Sequence, residues 1–149
     1  MNKKVKVLTV FLLILVVSAD LSDAASAERK NVAPSIDFRE YSEDAFIAAK
    51  GENKPVLILF FAHWCPWCKL FDETVLSDDS VYGFLNEKYI NIFVDADLNE
   101  ELKSKYGVTM LPYVVILRPD GKLQYKYGGM LDKNGFLSFI IETRINALK

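Results

Sequence analysis

Cysteine and histidine are scarce in this chain, with two cysteines and one histidine in 149 residues. A structural zinc site needs four ligands, and Cys65, Cys68 and His63 supply at most three. Positive charge is not in excess either, because the formal net charge is −2. The sequence therefore offers no broad basic field for nucleic acid and no Lys/Arg cluster for anionic lipid. We predict no metal, no cofactor and no nucleic-acid partner.

The sequence also lacks the low apolar content that is typical of disordered chains. Hydrophobic residues make up 51% of the sequence, and chains of low hydrophobicity and high charge are the ones that stay unfolded. The length suits one domain that can bury a substantial core. One globular domain is therefore the expectation for most of the chain.

The N-terminus has the charge order of a secretory signal peptide. Lys3, Lys4 and Lys6 precede the apolar run Val7–Val17, and a polar stretch with small residues follows. This run is shorter than the about 20 residues of a membrane-spanning helix. An uncleaved membrane anchor is the alternative.

Two cleavage sites fit this segment. Small residues near the apolar run allow cleavage after Ala19, whereas Ala25-Ser26-Ala27 better matches the A-x-A pattern. We favour cleavage after Ala27, which predicts a signal peptide over 1–27 and a mature domain over 28–149. The mature domain is then periplasmic or otherwise exported, free of the membrane and monomeric.

Apolar runs alternate with amphipathic segments after residue 42. The continuous apolar run Pro55–Ala62 predicts a central strand that is covered on both faces. Further strands are predicted over 90–96, 113–117 and 123–127. Helices are predicted over 42–49, 66–74, 77–89 and 99–106, and from Asp132 onwards. This order predicts an α/β fold in which helices cover both faces of a mixed sheet.

The last helix is predicted to carry one continuous apolar stripe. The residues of this stripe are Phe136, Leu137, Ile140, Ile141, Ile145 and Leu148. Such a stripe is typical of a helix that lies against a core.

Both cysteines follow the predicted central strand, in the stretch "FFAHWCPWCKLF". Because Pro66 suits the first turn of a helix, Cys65 should lie at the helix start and Cys68 one turn further on. At this spacing the two Cα atoms are about 5–6 Å apart, which a disulfide accepts. Helix-start N–H groups favour the Cys65 thiolate, so we predict Cys65 as the nucleophile and Cys68 as the more buried, resolving thiol. A structural staple is the alternative, although so small a ring removes little unfolded-state entropy.

Three motifs make the chain resemble the thioredoxin superfamily. They are "WCPWCK" (64–69), "GVTMLPYVVIL" (107–117) and "GGM" (128–130). The resemblance implies a thioredoxin-like fold and a thiol–disulfide oxidoreductase, in which Cys65 and Cys68 form the catalytic, redox-active disulfide. It also implies a cis peptide bond between Leu111 and Pro112 that faces the cysteines.

The resemblance further implies that protein disulfides are the substrates. Because a reductant outside the cytoplasm needs a supply of electrons, we predict a membrane thiol-transfer protein as the electron donor. The long helical stretch over 73–90 looks more like exported thioredoxin-related proteins than like cytosolic thioredoxin. We predict a reductant of protein disulfides, with substrate contacts from five residues, namely Trp64, Pro66, Trp67, Leu111 and Pro112. Thioredoxins carry a buried acid six residues before the first cysteine, where this chain has Leu59, so the proton route differs.

Several alternatives stay open. The same fold serves disulfide-forming oxidants and isomerases, and a non-catalytic binding module is also conceivable. Two thiolates also suit Cu(I) in a copper-binding or metal-delivery module, although no methionine is close to the cysteines in the sequence. Trp64 is expected to lie beside the site as part of the core, and Trp67 to contact substrate. His63 either stabilises the Cys65 thiolate when protonated or is an ordinary loop residue.

Overall fold

The computed structural model describes residues 32–149. The signal peptide predicted over 1–27 lies outside the described residues. Within 32–149, none of the helices has the length and apolar character required to cross a membrane. In chain order the elements are β1 (Phe38–Arg39), α1 (Glu43–Gly51), β2 (Val56–Phe61), α2 (Pro66–Phe71), α3 (Asp79–Lys88), β3 (Ile90–Asp95), α4 (Glu100–Tyr106), β4 (Tyr113–Leu117), β5 (Leu123–Gly128) and α5 (Lys133–Ala147).

The five strands form one mixed sheet in the order β1-β3-β2-β4-β5. Strand β2 is parallel to β3 and antiparallel to β4, and β4 forms an antiparallel hairpin with β5. All six residues of β2 are buried, because neighbouring strands flank it and helices cover both faces. The predicted central strand and the predicted α/β architecture with a mixed sheet are confirmed.

The two faces of the sheet are packed by different helices. On one face, Ile58 and Phe60 join Ala45 and Ala49 of α1 and Tyr106 of α4 in a buried cluster. On the other face, the rings of Phe71 and Phe136 meet edge to face, with centroids 5.0 Å apart. This second contact connects the helix after the cysteines to α5.

Two local features differ from the sequence prediction. Strand β1 was not predicted, because only Phe38 and Arg39 pair with β3, which is too short for a hydrophobic period. The helix predicted over 66–74 is α-helical only to Phe71 and continues as a π-helical segment over Asp72–Leu76. The chain therefore widens its helical turn directly after the cysteine helix.

The predicted apolar stripe of α5 is wrong in part. Ile141, Ile145 and Leu148 are exposed, whereas the buried side chains are those of Phe136, Ile140, Thr143 and Ala147. Thr143 is accommodated inside because its hydroxyl donates to the Phe139 carbonyl at 2.8 Å and lies 2.8 Å from the Tyr89 hydroxyl. Hydrophobicity alone did not identify the core face, since small and hydrogen-bonded residues occupy part of it.

Gly83 lies inside α3, where glycine has no structural role that we can identify. An added Cβ there would meet nothing within 4 Å, and Gly83 is exposed. We therefore expect Gly83→Ala to raise the free energy of unfolding by about 0.5–1 kcal/mol, because alanine loses less conformational entropy in a helix. Chemical denaturation measures this change, and a loss of stability would show that α3 does not tolerate a side chain at this position.

Candidate functional site

The two cysteines lie where β2 passes into α2. After β2, the Cys65 N–H donates to the Ala62 carbonyl at 3.1 Å, which turns the chain into the helix. Cys65 is the N-cap residue of α2, and Pro66 occupies the first turn. The predicted helix start is confirmed, because proline at this position leaves no hydrogen bond unmade.

Cys65 and Cys68 form a disulfide, with their Cα atoms 5.2 Å apart. The backbone N–H of Cys68 donates to Cys65 Sγ at 3.2 Å. Cys65 is 3% exposed and Cys68 is fully buried. In the reduced protein this N–H donor favours the negative form of the Cys65 sulfur.

Cys65 opens into a cleft of about 350 Å³. The cleft is lined by Trp64, Cys65, Pro66, Trp67, Asp97, Lys103, Val108, Thr109, Met110 and Leu111. Four of the five residues predicted to contact substrate therefore line the same cleft as Cys65. The fifth, Pro112, is buried directly after Leu111, and the predicted cis bond between these two residues is confirmed.

The expectation that Trp64 belongs to the core is wrong. Trp64 is 67% exposed and Trp67 is 62% exposed. The indole Nε1–H of Trp64 donates to Asp97 Oδ2 at 2.8 Å, in the turn that follows β3. A carboxylate from a distant turn therefore holds the Trp64 ring at the edge of the cleft, and sequence spacing gave no sign of this contact.

His63 lies to the side of the cleft. Its ring meets Phe61 edge to face, with centroids 5.9 Å apart, and it is not one of the residues that line the cleft. Among residues 32–149 there is no group of three or more His, Cys, Asp or Glu side chains that could hold a metal ion.

Leu59 occupies the position where thioredoxins carry a buried acid. It lies within β2, opposite Phe93 of β3 and Val114 of β4, and it is fully enclosed. Its surroundings are those of an apolar core residue, which explains why the chain tolerates leucine there. Proton transfer to or from Cys68 therefore has to use a group other than this side chain.

Met110 is a cleft residue that sequence reasoning missed. It is 54% exposed and lines the same cleft as Cys65, although the two lie far apart in sequence. Its side chain lies over Gly128 of β5, where an added Cβ would be 2.8 Å from Met110 Cγ and 3.0 Å from Met110 Sδ. Its place next to Leu111 in "TMLPY" is the signal that could have identified it.

This contact makes Gly128 a sensitive position. In Gly128→Ala the new methyl would also lie 2.9 Å from Cδ2 of the buried Tyr113 ring, so Met110 must move. We expect the free energy of unfolding to fall by about 1–3 kcal/mol and KM for a protein disulfide to rise. Chemical denaturation and steady-state kinetics measure the two effects, with Gly83→Ala as the control. Unchanged stability and KM would mean that Met110 does not depend on this contact.

A larger groove of about 650 Å³ lies elsewhere, between α1, the end of α4 and the turn between β4 and β5. Tyr41, Phe46, Tyr106 and Leu123 are among its walls, and its lining residues, all within 32–149, include neither cysteine. The cleft at Cys65 is therefore the candidate active site on chemical grounds, although it is the smaller of the two.

Comparison with known proteins supports this assignment. A family model described as a thioredoxin-like domain matches residues 42–143. A thioredoxin from Borreliella burgdorferi is 29% identical over 105 residues, which are 68% of this chain and 82% of that protein. The thiol:disulfide interchange protein DsbD of Campylobacter jejuni is 32% identical over 90 residues, 59% of this chain.

The matched regions are small parts of some relatives. The chain spans 16% of the length of the Campylobacter jejuni protein and 9% of that of a spermatogenesis-associated protein from Rattus norvegicus. A thioredoxin structure from Thermus thermophilus has the same fold, with a TM-score of 0.68, 24% identity and coverage of 76% of this chain and 90% of that one. The chain therefore belongs to the thioredoxin-like family, and its Cys65–Cys68 pair is a C-x-x-C disulfide of the thiol–disulfide oxidoreductase type.

Proposed function

We propose that the chain is an exported thiol–disulfide oxidoreductase that reduces disulfides of envelope proteins. The observation that carries this proposal is the Cys65–Cys68 disulfide, whose Cys65 lines a cleft with mainly apolar residues. A disulfide between residues this close in sequence stabilises the fold only weakly. Thiol exchange can open and close it during a reaction. The cleft admits an extended segment of a partner protein beside the reactive sulfur.

The reaction proceeds in two exchange steps. The Cys65 thiolate attacks one sulfur of a substrate disulfide, forms a mixed disulfide and releases one substrate thiolate. Cys68 then loses its proton and attacks Cys65 Sγ, which expels the second substrate thiolate and forms the Cys65–Cys68 disulfide. Two electrons pass from the chain to the substrate, and an external dithiol must return them before the next turnover.

Substrate binding is assigned to the walls of the cleft. The exposed rings of Trp64 and Trp67 offer apolar contact area next to the sulfur, and aromatic side chains dominate the energetics of such contacts. Leu111 also lines the cleft, and Pro112 follows it in the chain. A peptide lying between these walls would present its disulfide to Cys65.

Export and the electron donor are supported by different observations. Export rests on the signal-peptide pattern over 1–27. The similarity to a thiol:disulfide interchange protein supports a membrane thiol-transfer protein as the donor. Cell fractionation followed by N-terminal sequencing tests export, and we expect the mature chain to begin after Ala27. A cytoplasmic chain that still carries residues 1–27 would contradict it.

The opposite direction, disulfide formation, is the second candidate function. The N–H donor at Cys65 Sγ favours the thiolate and hence the reduced form, which makes the pair more oxidising. The apolar side chains that line the cleft, Trp64, Trp67 and Leu111, oppose this effect, because they disfavour charge.

Equilibration with glutathione buffers distinguishes the two directions. We expect a reduction potential between about −270 mV, the value of thioredoxin, and about −120 mV, that of a strong periplasmic oxidant, and closer to the first. Tryptophan fluorescence reports the redox state, because both tryptophans flank the cysteines. A value near the oxidising end would reverse the proposed direction and leave the thiol chemistry unchanged.

A further inference from the structure

Met110 is the most exposed of the sulfur-containing side chains within residues 32–149. It is 54% exposed, whereas Met130 is half-buried. Cys65 and Cys68 are buried and joined in a disulfide, so neither offers the thiolate that oxidants attack in a free cysteine. In the disulfide form of the protein, the thioether of Met110 is therefore the sulfur that a dissolved oxidant reaches most easily.

The backbone of β5 and of the residue after it closes one side of this thioether. A Cβ added at Gly128 would lie 3.0 Å from Met110 Sδ, and one added at Gly129 would lie 3.9 Å from it. An oxygen atom added to Sδ therefore has to lie on a side that faces away from these glycines. Because Met110 lines the cleft at Cys65, the added oxygen changes the surface of the cleft.

Oxidation of the thioether changes the chemical character of this surface. A methionine sulfoxide is polar and chiral, whereas methionine is apolar and flexible. The neighbouring lining residues Trp64, Trp67 and Leu111 are apolar, and a substrate segment that covers them also removes water from the sulfoxide oxygen. A polar group that loses water without a new hydrogen bond costs free energy, so the substrate binds less tightly. Cys65 itself is left unmodified.

We propose that Met110 is an oxidation site, at which hydrogen peroxide lowers the affinity of the cleft for a protein disulfide. The O–O bond of the peroxide breaks and an S–O bond forms at Met110 Sδ. The sulfur loses two electrons, and the second peroxide oxygen leaves as water. The reaction is reversible in cells by methionine sulfoxide reductases. The effect on substrate binding rests on the proposed function, whereas the modification itself does not.

Peroxide treatment of the purified chain in its disulfide form tests the proposal. Peptide mass spectrometry follows the addition of one oxygen atom, and we expect it at Met110 before Met130. After removal of the peroxide, KM for insulin should be higher by about tenfold with kcat little changed, the scale of one altered apolar group in a binding pocket. A thiol count after reduction shows that both cysteines have survived the treatment.

Three variants separate Met110 from other targets of peroxide. Met110→Leu has no sulfur to oxidise, so its KM should be the same before and after treatment. Met130→Leu is the matched control, since Met130 does not line the cleft, and its KM should rise as that of the wild type does. Met110→Gln has a polar side chain of similar length, and its KM should be raised without peroxide. Circular dichroism confirms that each variant is folded.

Two further results complete the test. Methionine sulfoxide reductase should restore the KM of the oxidised wild type. Oxidation of Met130 ahead of Met110, an unchanged KM in the oxidised wild type, or an equal rise of KM in treated Met110→Leu would overturn the proposal. If the untreated wild type does not reduce insulin, the proposed function fails, and mass spectrometry alone then decides whether Met110 is the oxidation site.

Discussion

Replacing Cys65 with serine should lower disulfide reduction by about 1,000-fold or more, the scale seen when a covalent nucleophile is removed. Cys68→Ser should instead retain the first exchange and accumulate mixed disulfides through Cys65. The structure gives the reason, because Cys65 opens into the cleft and receives the Cys68 N–H, whereas Cys68 is fully buried. Reduction of insulin and non-reducing gel electrophoresis measure the two outcomes.

Alkylation of the reduced wild type provides an independent check of these roles. A limiting amount of iodoacetamide near neutral pH should modify Cys65 before Cys68, as read by peptide mass spectrometry, because the thiolate is the reacting form. The Cys68→Ser variant also allows the substrate to be identified, since whatever remains covalently attached is the trapped partner. Modification of Cys68 first would reverse the assignment of nucleophile and resolving thiol.

A second large effect is expected at Leu59. Leu59→Asp restores the type of side chain that thioredoxins carry there, but it places a carboxylate among apolar neighbours in the middle of β2. An unpaired buried charge costs about 3–5 kcal/mol, so the variant should be far less stable at neutral pH. Desolvation raises the pKa of the new carboxyl in the folded state. The loss of stability should therefore shrink as pH falls below that raised pKa. It should stop changing once the carboxyl is also protonated in the unfolded chain.

Leu59→Asn is the matched control for this experiment. Asparagine has nearly the same shape as aspartate and is also polar, but it does not titrate. The loss of stability in Leu59→Asn should therefore not change with pH in the same way. Urea denaturation of both variants over a range of pH measures the difference between them. A loss for Leu59→Asp of less than about 1 kcal/mol, the ordinary effect of a substitution, would mean that water or a cation reaches this position.

The sequence was most informative where one local pattern determines the structure. The unbroken apolar run before the cysteines predicted a central strand, and β2 lies between β3 and β4. Pro66 predicted the helix start that makes Cys65 its cap. The resemblance supplied the cis bond before Pro112, which no periodicity would have indicated.

Features that depend on contacts between distant residues could not be predicted in the same way. The exposure of Trp64 follows from its hydrogen bond to Asp97, and the place of Met110 follows from its contact with Gly128. In α5, Thr143 is buried and Ile145 is exposed, because the sheet and Tyr89 decide which side of the helix is covered. These outcomes depend on where other elements lie, which one sequence does not encode locally.

Cys65 and Met110, which both line the cleft, are attached to parts of the sheet that differ in resistance to local opening. Cys65 follows β2, which is buried along its whole length and paired on both sides. The Met110 side chain packs against Gly128 at the end of β5. Strand β5 is an edge strand with largely exposed side chains. Local opening is easiest in such peripheral segments, so amide hydrogen exchange should be faster in β5 than in β2. We therefore expect a bulky partner to displace the Met110 side chain more readily than the cysteines.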